Sequence, residues 1–190
     1  VRDVNHPSVV LWDNGNEGGF NYDLVDDFHP QDPQKRPVLH PWQNEAGKIN
    51  TTHYRSYDCC AGKYLDGPEL VMPTEVLHGL YDGGHGAGLS DLWDRMLQSP
   101  LAVGAFLWAL ADEGIVRTDR DGALDTDGNH APDGIVGPYR EKEASFFTIQ
   151  EIWSPVFLEL GRLDRLPPTF AGRLRLANPS DFPRLAAAPF

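Results

Sequence analysis

Two glutamates in this sequence stand directly after predicted β-strands and could act as a catalytic pair. Glu17 follows an apolar, β-branched run at residues 8–12. Glu75 follows a second predicted strand, at residues 69–74. In parallel α/β barrels the active site lies at the carboxyl ends of the strands, so both side chains would face the same edge. Hydrolysis of a glycosidic bond requires such a pair, because one carboxyl group gives a proton while the other attacks or activates water.

The neighbours of these glutamates favour a sugar-binding pocket over solvated loop positions, which are the commoner setting for a single glutamate. Asn16 precedes Glu17 in a glycine-rich turn, where the backbone can approach a ligand and the amide can bind a sugar hydroxyl. His78 follows Glu75 by three residues and can reach the same pocket. Trp108 ends a further apolar run, and aromatic rings stack on sugars as well as filling cores.

Strands and helices alternate along most of the chain, which predicts an α/β fold with a parallel sheet. Residues 1–155 would then hold just over half of the strands of an eight-stranded barrel. Short strands at residues 156–160 and 173–176 predict that residues 156–190 form a linker and the beginning of a β-sandwich domain. The predicted strands of the first domain are 8–12, 38–40, 49–54, 69–74 and 101–108; the predicted helices are 22–28, 89–97 (with Ser90 as N-cap) and 140–152; a polar loop is predicted at 112–133.

The acidic composition disfavours several classes of partner. The formal net charge is −12 and the pI is about 4.8, which argues against nucleic acid and anionic membrane surfaces. No apolar run is long enough to cross a bilayer, and no zinc-ligand spacing appears. Aspartate-rich stretches at residues 119–122 and 125–128 lack the full calcium-loop pattern. We therefore expect no cofactor, with a structural sodium, magnesium or calcium ion as the alternative left open.

Residues 2–12, followed by Asn16 and Glu17, resemble the signature of glycoside hydrolase family 2, the β-galactosidase and β-glucuronidase family. The resemblance covers nearly the whole chain and implies the C-terminal part of a TIM (β/α)8 barrel, about strands four to eight. It also implies that Glu17 is the general acid/base and Glu75 the nucleophile of a retaining mechanism with a covalent intermediate. Further segments that resemble the family are residues 36–38, 103–108 and 133–140.

The same resemblance implies roles for residues of the sugar pocket. Tyr54 corresponds to a tyrosine that hydrogen-bonds the nucleophile, with Tyr57 as the competing candidate. His78 stands where β-galactosidases have a histidine that contacts the sugar, and Trp108 would form one wall of the pocket. Asp133 replaces an asparagine that in the family often contacts the sugar or a monovalent cation.

Together these features predict a retaining exo-β-glycosidase that acts on terminal β-linked sugars, with β-galactosides as the expected substrates. A β-glucuronidase or β-mannosidase of the same family is the first alternative. The second is a carbohydrate-binding fragment without turnover, because barrel strands one to three are not in this chain. The expected partner is a β-linked oligosaccharide or glycoside, and the missing half of the barrel would come from the same protein or from another chain.

Overall fold

A computed structural model describes most of the chain and divides it into two compact units, Val1–Thr148 and Ile149–Phe190. No helix among the described residues is both long and apolar enough to span a membrane. The described residues are 2–19, 21–43, 49–56, 63–78, 86–159, 168–173 and 175–178.

Short parallel β-strand pairs organise the first unit. Strand β1 (Trp12–Asp13) pairs with β2 (Val38–Leu39), and β3 (Ile49–Asn50) pairs with β4 (Leu70–Val71). Parallel bridges continue the arrangement, from Val71 to Ala102, from Val76 to Leu107 and from Ala111 to Val136. The structure therefore has an α/β arrangement with parallel pairing at each predicted strand, although the paired stretches are shorter than the apolar runs suggest.

The predicted strand at residues 8–12 is the most shortened, since only Trp12 of this run enters β1. The preceding residues form turns in which the amide of His6 donates to the carbonyl of Asp3 and the amide of Val9 to that of His6. Val10 is 66% exposed. An apolar run therefore does not guarantee a strand when its backbone hydrogen bonds are made within local turns.

A buried ion pair fixes the backbone that leads into the Asn16–Glu17 turn. The guanidinium of Arg36 binds the carboxylate of Asp32 at 2.9 Å and lies 4.7 Å from the centre of the Trp12 ring. It also donates to the carbonyls of Val4 and Val9, at 2.7 and 2.8 Å. The guanidinium beside Asp32 holds the pKa of this carboxyl well below its usual range. Because the guanidinium donates to several acceptors, the buried charges are compensated.

Helix α3 (Ala87–Gln98) has a buried face, on which Leu89, Leu92 and Met96 lie. This spacing places the three side chains along one side of the helix. The N-cap is Gly86, at φ 93°, so the prediction that Ser90 caps the helix was wrong. The other helices are α1 (Val25–Phe28), preceded by a 3-10 turn at Tyr22–Leu24, α2 (Lys63–Asp66) and α4 (Ala144–Ile152).

The predicted polar loop at residues 112–133 instead contains an antiparallel hairpin of β5 (Gly114–Arg117) and β6 (Ala123–Thr126). Arg117 binds Asp119 at 2.6 Å and Asp125 at 2.9 Å, so one carboxylate from each aspartate-rich stretch pairs with a cation of the hairpin.

The second unit contains an antiparallel strand pair, β7 (Phe157–Glu159) with β8 (Arg175–Ala177). These strands overlap the short strands predicted at residues 156–160 and 173–176. The division into domains at residues 155 and 156 stays a prediction.

Candidate active site

A cavity of about 280 Å³ in the first unit brings together every site residue that the sequence predicts. It also contains two residues outside that set: Glu113 adds a carboxylate and His130 an imidazole. The described residues that line it are Asn16, Glu17, Tyr54, Glu75, His78, Trp108, Glu113, His130 and Asp133.

The backbone holds three of these segments side by side at the carboxyl ends of the strand pairs. The amide of Tyr54 donates to the carbonyl of Glu75, at 3.2 Å. The amide of Trp108 donates to the carbonyl of Val76, at 2.9 Å. Residues distant in sequence therefore reach one pocket because parallel pairing aligns their strand ends.

Glu17 and Glu75 face each other across the pocket at close range. One carboxylate oxygen of each lies within 4.8 Å of the other. Glu17 occupies a turn between Gly15 and Gly18, with a left-handed φ of 45° and a side chain that is 44% exposed. The Glu75 side chain is only 11% exposed. One carboxylate is thus open to solvent and the other enclosed.

Tyr54 makes the contact with Glu75 that the family resemblance implies. Its hydroxyl donates to Glu75 Oε2 at 2.6 Å, and its backbone is left-handed at φ 51°. Burial, together with the hydrogen bond to Glu75, raises the pKa of Tyr54 well above its ordinary value. The phenol therefore remains a hydrogen-bond donor at neutral pH. The competing candidate, Tyr57, lies outside the described residues.

Trp108 and His78 converge on a buried carboxylate. Trp108 Nε1 donates to Asp133 Oδ2 at 2.7 Å, and His78 Nε2 lies 3.6 Å from the same oxygen. Asp133 is 2% exposed, so it is anchored rather than solvated. The ring of His78 also contacts that of Tyr54, at a centroid distance of 5.8 Å. Asp133 thus orients the predicted aromatic wall and the predicted sugar-binding histidine together.

His53 is a member of the cluster that sequence reasoning missed. Its side chain is fully buried, and its Nδ1 lies 3.1 Å from Glu17 Oε1 and 3.4 Å from Glu75 Oε2. It precedes Tyr54 in the predicted strand at residues 49–54, where strict alternation would place the two side chains on opposite faces. The left-handed backbone at Tyr54 breaks that alternation and lets both side chains reach the glutamates.

The cluster of Glu17, His53 and Glu75 is the one group of described residues whose atoms could jointly hold a metal ion. A metal ion there would occupy both carboxylates, whereas glycoside hydrolysis needs one of them as an acid and the other as a nucleophile. Nearby, burial raises the pKa of Asp13, against the opposing influence of His40 and His53.

Comparisons with known proteins relate the chain to β-galactosidases in sequence. No protein-family model matches it. It is 25% identical over 174 residues to a β-galactosidase of Priestia megaterium, covering 82% of this chain and 17% of that protein. It is 26% identical over 142 residues to a β-galactosidase of Photobacterium profundum, covering 64% of this chain and 13% of that protein. The chain thus spans less than a fifth of the length of these relatives.

Solved structures show a similar fold. A β-glucuronidase of Faecalibacterium prausnitzii matches with a TM-score of 0.50 and 23% identity, over 80% of this chain and 32% of that one. A glycosyl hydrolase family 2 member of Bacteroides cellulosilyticus matches with a TM-score of 0.50 and 16% identity, over 83% of this chain and 22% of that one. The sequence relatives and the fold of these solved structures agree with the resemblance to glycoside hydrolase family 2.

Proposed function

We propose that the intact protein containing this chain is a retaining β-glycosidase, with Glu75 as nucleophile and Glu17 as general acid/base. The observation that carries the proposal is the approach of the two carboxylates to within 4.8 Å in a pocket. Retaining glycosidases hold their carboxyl groups about 5–5.5 Å apart, while inverting enzymes leave about 6.5–9.5 Å for an intervening water. The short separation supports direct attack by one carboxylate.

The environments of the two glutamates support this division of roles. Glu75 is enclosed and accepts the Tyr54 hydrogen bond on Oε2, which stabilises its charged form and leaves Oε1 for attack. Glu17 is more exposed, as suits a group that meets the leaving oxygen and then a water molecule.

The reaction would proceed in two steps, formation of a covalent ester with Glu75 and its hydrolysis. In the first, Glu75 bonds to the anomeric carbon, the bond to the leaving oxygen breaks, and that oxygen takes the proton of Glu17. In the second, a water oxygen bonds to the anomeric carbon as the ester to Glu75 breaks, and Glu17 takes the proton of the water.

The pocket electrostatics support a neutral sugar over a uronic acid. Glu113 and Asp133 add carboxylates to the catalytic pair, and no lysine or arginine is among the described lining residues. A uronate carboxylate would meet like charges there, which disfavours its binding. With the β-galactosidases among the relatives, this makes β-galactosides the proposed substrates.

We extend the proposal to the architecture. The parallel pairs of the first unit would be about strands four to eight of a TIM barrel, with residues 156–190 beginning a β-sandwich. The succession of parallel bridges along the chain supports this arrangement. The same protein or another chain would complete the barrel.

The test is a panel of aryl β-glycosides with the intact protein, comparing kcat/KM for the galactoside, glucuronide and mannoside. We expect the galactoside to be hydrolysed best and a 2-fluoro sugar to label Glu75. Labelling of another residue would contradict the assignment, and sugar binding without turnover would indicate a non-catalytic protein.

A further inference from the structure

His53 contacts both members of the proposed catalytic pair, yet the two-step mechanism above gives it no part. Its Nδ1 is 3.1 Å from Glu17 Oε1 and 3.4 Å from Glu75 Oε2. Its Nε2 is 2.8 Å from the hydroxyl oxygen of Thr74. The imidazole therefore bridges the glutamates on one side and a fixed hydroxyl on the other.

The hydrogen bonds of Thr74 indicate which ring nitrogen of His53 carries a proton. The Thr74 hydroxyl lies 3.1 Å from the carbonyl of Thr51, which can only accept. Since the hydroxyl has a single proton, every contact is satisfied only if it donates to Thr51 and accepts from Nε2–H of His53. Nδ1 then faces the two carboxylates, and one proton must lie between it and Glu17 for the close contact to be favourable.

We propose that His53 is a positioning residue that shares one proton with Glu17 and so keeps the acid/base protonated. This inference rests on the proposed function. When the proton resides on Nδ1, it first moves across 3.1 Å to Glu17 Oε1, and the protonated Glu17 then donates this same proton to the leaving oxygen. In the second step Glu17 takes a proton from water, and this proton is again shared between Glu17 and Nδ1 of His53.

The groups around His53 favour retention of this proton. The facing titratable groups are the carboxylates of Glu17 and Glu75 and the phenol of Tyr54, whose ring lies 5.9 Å from the imidazole, and Asp13 acts at longer range. The ring of Trp42 packs edge-on at 5.5 Å and adds no charge. The two carboxylates thus place negative charge on the Nδ1 side of the ring, where the shared proton would lie.

The decisive measurement is the pH dependence of kcat/KM for a β-galactoside with a poor leaving group, in the intact protein. His53→Asn keeps a donor near the position of Nδ1 but cannot titrate. We expect the basic limb of the profile to move to lower pH by about one unit, so that activity above the limb falls about tenfold. If His53 only supplies a hydrogen bond, asparagine would supply the same bond, and the basic limb of the profile would stay at its wild-type pH. His6→Asn makes the same change at an exposed histidine and should leave the profile unaltered.

A matched pair at Thr74 tests the same proton without changing His53. Thr74→Val removes the acceptor of Nε2–H, which disfavours the doubly protonated ring, so the limb should again move to lower pH. Thr74→Ser retains the hydroxyl and should restore the wild-type limb. If His53→Asn fails to fold, as judged by circular dichroism, the valine and serine variants decide the question.

A calorimetric measurement separates failure of this inference from failure of the proposed function. Binding of a galactose-configured imino sugar is measured against pH in the wild type and in His53→Asn. If the wild type neither hydrolyses β-glycosides nor binds the imino sugar, the proposed function fails. If the wild type hydrolyses β-glycosides and binds the imino sugar, the variants decide the further inference. Variants with the same basic limb of kcat/KM and the same pH dependence of binding as the wild type would disprove the shared proton.

Discussion

Replacement of Tyr54 by phenylalanine tests the role of the hydrogen bond to Glu75 with a minimal change of shape. The hydroxyl donates to Oε2 at 2.6 Å, a short bond to a charged acceptor. Such bonds contribute roughly 1.5–3 kcal/mol, which corresponds to roughly tenfold to 150-fold in rate. Because Tyr54 is 41% exposed, water can partly replace the hydroxyl, and we expect the lower end, about tenfold.

The loss should fall mainly on the second half of the reaction. In the proposed mechanism Glu75 leaves as a carboxylate when the covalent intermediate is hydrolysed, and the donor would stabilise the charge that then develops. In the first half the same hydrogen bond stabilises the attacking carboxylate before reaction, so its loss is partly offset. Tyr54→Phe should therefore accumulate the intermediate, lowering kcat and KM together.

Stopped-flow kinetics with a dinitrophenyl galactoside measures this directly. The variant should release a burst of dinitrophenol stoichiometric with active sites, followed by a steady state about tenfold slower than that of the wild type. Tyr139→Phe removes a hydroxyl from an exposed tyrosine outside the pocket and serves as the control. A steady-state rate within threefold of the wild type, with no burst, would refute the role assigned to the hydrogen bond.

Three further variants of the intact protein probe the pair and its supports. Glu17→Ala should impair substrates with poor leaving groups most, and added azide should restore turnover with a β-glycosyl azide as product; an α-azide would exclude retention. Trp108→Phe removes the donor to Asp133 and should lower kcat/KM about tenfold, while unchanged kinetics would show that the indole nitrogen is dispensable. Since the folded-state pKa of Asp32 lies below that of the unfolded chain, its ion pair with Arg36 stabilises the fold above about pH 4, and this contribution declines as pH falls further. Asp32→Asn should therefore lower the unfolding temperature more at pH 5 than at pH 3, and an equal loss at both would contradict the pairing.

The sequence predicted the membership of the pocket better than the elements around it. Glu17 and Trp108 could be placed because the ends of apolar strands meet at one edge of a parallel sheet, and the family resemblance added Tyr54 and Asp133. His53 escaped prediction because regular strand alternation would point its side chain away from that of Tyr54. The left-handed backbone of Tyr54, which breaks this alternation, cannot be predicted from the identity of the residue.

The hairpin at residues 114–126 was missed although its turn left a signal. Asp121 and Gly122 have left-handed φ angles of 52° and 80°, and both residue types suit such a turn. The aspartates at residues 119–128 instead favoured the prediction of a solvated loop or an ion site. Charge density thus concealed a short apolar alternation through Val116 and Leu124, which pair across the hairpin.

The left-handed backbone at Glu17 has an evolutionary consequence. A glutamate at φ 45° is held in a conformation that glycine adopts without steric cost, and the penalty for a residue with a Cβ is about 1–2 kcal/mol. Glycine at this position would relieve that strain while removing the proposed acid/base group. On the proposed role of Glu17, a Glu17→Gly change would therefore exchange turnover for stability, so selection for stability and selection for activity oppose each other at this position.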